Sequence, residues 1–93
     1  MRIAEVIGRV TLSKTHPSLV GATWVLAVPL AHTALKGDAA GRGEPLVVFD
    51  ELGAGGGSLI GLTEGAEASN PFYPDAKPID AYNAAILDAI EVE

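Results

Sequence analysis

The sequence predicts a mainly β chain, a small barrel of five short strands with one short helix near the C-terminus. Three observations predict it. Between Ala4 and Leu12 small or apolar residues recur at every second position, the period of a half-buried strand. The run "ATWVLAVPL" is apolar on both faces, as a strand covered twice must be. Only "PIDAYNAAILDAI", close to the end, changes to helical spacing.

The elements follow in order. In the first strand the even positions are Ala4, Val6, Gly8, Val10 and Leu12, and the odd ones include Glu5, Arg9 and Thr11. In the second, Ala22 to Leu30, Trp24, Leu26 and Val28 share one face and Val25 and Ala27 the other. One face is expected to meet the core, and the other to meet a neighbouring subunit. Lys36 to Glu44 is a polar, glycine-bearing loop, and Pro45 to Leu52 reads as the third strand of a hairpin. "SLIGLTE", Ser58 to Glu64, is the fourth. Gly65 to Pro78 holds three prolines and shows no periodicity, so it is expected to be a loop. In the predicted helix Ile79, Tyr82, Ile86 and Ile90 fall near one face and Asp80 caps the first turn, with "AIEVE" a candidate last strand. Together these elements describe an OB-like five-stranded barrel whose helix plugs one end. No repeat or linker divides residues 1–93, which are expected to be a single domain.

Composition excludes several functions. A chain of 93 residues has a modest core, yet 48% of this one is hydrophobic and only 19% charged. The surplus is most simply placed in a subunit interface, which predicts an oligomer. A net charge of −6 argues against a nucleic-acid partner, because phosphate binding relies on a basic face. The absence of cysteine removes thiolate chemistry, disulfides and zinc-thiolate sites. Glu5 and Arg9 interrupt any signal-peptide apolar region, and the stretch from Leu19 to Leu35 is shorter than the roughly 20 residues of a membrane span and contains Pro29 and His32. A soluble cytoplasmic protein is expected, with no membrane partner.

The densest local signal is "DELGAGGGSLIGL", Asp50 to Leu62, with five glycines in thirteen residues. It is not a phosphate cradle. A dinucleotide fingerprint beginning at Gly53 would need a glycine where Ser58 stands, a Walker loop would need Gly-Lys-Ser/Thr, and a strand rather than a helix follows. The glycines therefore point to a tight turn or to a close approach of backbones. Asp50 is placed to accept bonds from the N–H groups of that turn, with Ser58 helping at its far end. Asp50 and the adjacent Glu51 point to opposite faces of a strand and do not make an acid/base pair. Ser58 lacks the context of a nucleophile elbow. His16 and His32 stand in turn-like contexts that suit surface histidines. No catalytic residue, metal site or cofactor is expected.

At this point the residues resemble a family. "THPSLVG", "VLAVPL", "VVFDELGAGGGSLIGLTEG" and "PIDAYNAAILDAIEVE" together look like the EutN/CcmL family of bacterial microcompartment vertex proteins. The most specific parts are D-x-x-G-A-G-x-G, here Asp50, Gly53, Ala54, Gly55 and Gly57, and the start of the last segment, here Pro78, Ile79, Asp80 and Ala81. The resemblance implies an OB-like barrel that assembles as a homopentamer and closes the vertices of a polyhedral shell faceted by hexameric shell proteins, without enzymatic activity. In such a ring Asp50, Gly53, Ala54, Gly55, Gly56, Gly57 and Ser58 are expected at the subunit interface, lining the axis. The chain departs from the family in having Ser58 where an acidic residue is usual, and "EGAEASNPFYP" where a Ser-Ala-Arg stretch is common. The alternative on the same barrel is a binding module for single-stranded nucleic acid or a small ligand.

Overall fold

In the computed structural model, which describes residues 1–11, 17–19, 21–73 and 79–90, the strands are β1 Arg2–Val10, β2 Trp24–Leu30, β3 Leu46–Phe49, β4 Leu59–Glu64 and β5 Ala81–Leu87. They form a closed barrel in the order β1-β2-β3-β5-β4. The chain-adjacent pairs β1/β2, β2/β3 and β4/β5 are antiparallel, as is β1/β4. A single parallel pairing, Phe49 opposite Tyr82, closes the ring between β3 and β5.

Alternation places Ala4 and Val6 of β1 inside, as the period-two pattern requires. The β1/β2 register shifts between Val6 and Gly8, and Ile7 at the shift is 45% exposed. Leu12 and His16 lie outside the described residues, as do Pro78 and the last three residues of "AIEVE".

The expected C-terminal helix is a strand. Ala81–Leu87 pairs along β4 from Glu64 opposite Ala81 to Leu59 opposite Leu87. The spacing of Ile79, Tyr82 and Ile86 resembles a helical stripe, but the side chains that enter the barrel are those of Ala81 and Asn83. The inward positions are small or polar, so the alternation is invisible to a count of large apolar residues. The α-helix lies elsewhere: α1 is His32–Leu35, a single turn in the β2–β3 connection. A 3₁₀ turn, Ala39–Gly41, packs on it so tightly that a Cβ on Gly41 would sit 2.3 Å from the Ala34 nitrogen. Asp38 caps that turn by accepting from Ala40 N–H at 2.9 Å, and Arg42 ties it to β1 by donating to Glu5 at 2.6 Å.

The apolar residues form two layers. Inside the barrel are Ala4, Val6, Val25, Ala27, Val48, Ala54, Ile60, Leu62 and Ala81. Five strands enclose a narrow space, which accounts for the absence of aromatic rings there. On the outer face of β2, β3 and β5, Phe49 is packed among Trp24, Phe72 and Tyr82, with ring centroids 5.3, 5.4 and 6.0 Å away. Leu19 of a 3₁₀ turn, Pro17–Leu19, and Ala68 of a 3₁₀ helix, Gly65–Phe72, cover this cluster together with Ile79. The second cover expected from a neighbouring subunit is thus supplied at Trp24 by the chain itself, and the segment expected to be a shapeless loop supplies part of it. Leu26 on the same face is only partly buried, and Val47 opposite it is 42% exposed.

Candidate functional site

The segment Asp50–Ser58 leaves the end of β3 and returns to β4 by running beside β1. It is fixed at both ends. Asp50 donates its main-chain N–H to Thr23 at 2.9 Å, and its carboxylate is 2% exposed. One carboxylate oxygen accepts from Leu52 N–H at 3.1 Å and from the Asn83 amide at 2.8 Å, and the other accepts from Ala54 N–H at 2.9 Å. Asn83, fully buried on β5, accepts in turn from Ala85 N–H at 3.2 Å. Every bond to the carboxylate is charge-assisted, which is how a buried carboxylate is held inside a protein. Ala54 then enters the barrel core at 1% exposure. At the far end Gly57 N–H donates to Val6 C=O at 2.8 Å, and Ser58 C=O accepts from Val6 N–H at 2.9 Å. Ser58 serves that end with its main chain, its N–H also closing a turn onto Gly55 C=O at 3.0 Å.

The glycines divide into two kinds. Gly53 and Gly57 have φ of 77° and 86°, the left-handed region that costs an L-residue about 1 to 2 kcal/mol. Gly55 and Gly56 do not lie there, and a Cβ added to either meets no atom of the described residues within 4 Å. Backbone geometry therefore explains the first pair, and nothing among the described residues explains the second. Both are exposed, on a loop held too firmly to owe its composition to flexibility. Leu52 on this loop and Ile7 on β1 are 48% and 45% exposed.

Glu51 is exposed on the side away from Asp50 and accepts from the Tyr82 hydroxyl at 3.2 Å. Burial, then the bond to Glu51, raises the Tyr82 phenol above its ordinary range. His32 is exposed at the start of α1. Among the described residues no three of His, Cys, Asp and Glu stand together as a metal set, and no helix is long and apolar enough to cross a membrane. Of the rings a nucleic-acid module would use for stacking, Trp24, Phe49, Phe72 and Tyr82 pack on one another, and Tyr73 is 87% exposed. Asn83 was not apparent as a site residue; its signal is the lone amide in the apolar run "AYNAAIL".

A family model described as ethanolamine utilisation protein EutN/carboxysome matches residues 1–88. The chain belongs to the EutN/CcmL family. It is 33% identical over 95 residues to the carboxysome shell vertex protein CcmL of Synechococcus elongatus, a match covering 100% of this chain and 89% of that one. The fold matches that of the GrpN pentameric microcompartment shell protein from Rhodospirillum rubrum with a TM-score of 0.82 and 27% identity, over 100% of both chains. Gloeobacter violaceus CcmL aligns with a TM-score of 0.80 and 28% identity, over 100% of this chain and 91% of its own.

Proposed function

We propose that this EutN/CcmL family member is a structural subunit of a bacterial microcompartment shell, whose residues 1–93 act as one vertex domain. It assembles as a homopentamer and caps the vertices of a cytoplasmic polyhedral shell whose facets are hexameric shell proteins. Its contribution is geometric rather than enzymatic, since rings of five introduce curvature into a sheet of hexagons. The observation that carries this reading is the match along the whole chain, in sequence to a shell vertex protein and in fold to a pentameric shell protein.

Within the ring, Gly53, Gly55, Gly56, Gly57 and Ser58 are placed by this reading at the subunit contact nearest the axis, whereas Asp50 and Ala54, expected there too, are 2% and 1% exposed in the subunit alone and hold the loop from within. The support is the pair Gly55 and Gly56, where an added Cβ would meet no atom of the described residues within 4 Å. A cyclic ring repeats each contact once per subunit, so a single added Cβ crowds every interface. Co-expression with hexameric shell proteins tests the role. Electron microscopy is expected to show closed polyhedra with this chain and open sheets, tubes or leaky shells without it. Closed shells in its absence, with no other vertex protein present, would overturn the proposal.

A further inference from the structure

We infer that the buried pair Asp50 and Asn83 serves as a positioning clamp for ring assembly, holding the loop in the one shape that presents Gly55 and Gly56 to a neighbouring copy. The inference rests on the ring reading above. It starts from the cost of the pair: Asp50 and Asn83 are the buried polar side chains among the described residues, at 2% and 0% exposure, in an interior otherwise built of Ala, Val, Ile and Leu. Apolar residues of similar volume would fill that space without a desolvation penalty, so the pair is retained for what it fixes. What it fixes is the loop. Asp50 takes the N–H groups of Leu52 and Ala54 on separate oxygens, which sets the turn at Gly53 and sends Ala54 into the core. The bond from Asn83 fixes the carboxylate itself, and Asn83 is in turn held by Ala85 N–H, so the clamp is referenced to β5 across the barrel. The far end is pinned independently by β1 through Val6. Gly55 and Gly56 are the span between these two anchors.

The pair is asymmetric in a way that separates positioning from core filling. Asp50 must accept three bonds, two of them from the loop, whereas Asn83 donates one and accepts one. Exchanging the residues in the double variant Asp50→Asn and Asn83→Asp keeps volume, net charge and a bond between the two positions. It spends one amide arm of position 50 on the bond to position 83 and leaves a single oxygen for the loop. Hydrogen exchange at Leu52 and Ala54, circular dichroism and native mass spectrometry on the purified protein read the three consequences. The expected result is an unchanged barrel spectrum, at least tenfold faster exchange at one or both amides, and at least a tenfold drop in ring at fixed protein concentration. Wild-type exchange and wild-type ring would overturn the clamp, and so would faster exchange with the ring intact. Should the double variant not fold, Asn83→Ala, flanked by Ala81 and Ala85, removes the outer donor and the acceptor of Ala85 N–H while leaving both loop bonds to Asp50. It is expected to lose ring several-fold while folded, and an undiminished ring would overturn the inference. Failure of the ring reading is distinguishable: Gly55→Val leaves the clamp whole, so a Gly55→Val protein that still forms rings contradicts the contact without bearing on amide protection.

Discussion

The glycine loop Asp50–Ser58 and the 3₁₀ segment Gly65–Phe72 both cross the outside of the same barrel, and opposite means hold them there. The first is fixed from beneath by a buried carboxylate and carries no large side chain over its middle. The second is fixed by what it carries: Ala68 and Phe72 press into the cluster around Phe49, and Gly65 N–H donates to Asp80 C=O at 2.8 Å. Polar anchoring leaves a loop free to present bare backbone outward. Apolar anchoring spends the side chains inward and makes the segment a lid on its own subunit.

The comparison breaks first at Phe49. Phe49→Ala removes the ring that touches Trp24, Phe72 and Tyr82, and a loss of about 3 to 5 kcal/mol is expected by urea unfolding, with barrel and ring falling together. An effect below 1 kcal/mol would mean that the lid is not anchored there. Asp50→Ala is expected to cost about 2 to 3 kcal/mol, because Leu52 N–H and the Asn83 amide lose their acceptor and Ala54 N–H is stranded in the core. Gly57→Ala forces φ of 86° on an L-residue and is expected to cost about 1 kcal/mol, whereas Gly55→Ala or Gly55→Val is expected to leave monomer stability within about 0.5 kcal/mol. Equal effects at the two glycines would erase the division between them.

The smallest effect sharpens the comparison through pH. The folded-state pKa of Tyr82 lies above that of the unfolded chain, where tyrosine titrates near 10. The stability this shift contributes is complete below about pH 10 and is lost as pH rises through the higher folded value. Tyr82→Phe is expected to flatten that alkaline slope without altering the ring. An unchanged slope would show that burial and the Glu51 bond do not hold the phenol above its unfolded range.

Much of the architecture is readable from residue spacing. The alternation in Ala4 to Val10, the doubly apolar Trp24 to Leu30 and the short runs before and after the glycines give four of the five strands. The fifth strand hides because its interior positions, Ala81 and Asn83, are those a hydrophobic count passes over, while its large residues happen to fall at helical intervals. The lid hides for a different reason: a 3₁₀ segment containing Pro71 has neither of the two common periods, and its burial depends on Phe49 sixteen or more residues away. Asp50 is legible because carboxylates beside glycine turns have few other uses. Its partner is not, since a lone asparagine acquires meaning only when the barrel closes and brings β5 beneath the loop.

The central claim is that the chain is built to meet copies of itself in a closed ring. Native mass spectrometry of the purified protein at micromolar concentration tests it most directly. A single dominant species of five copies of the 9.5 kDa chain is expected. A stable monomer would contradict it.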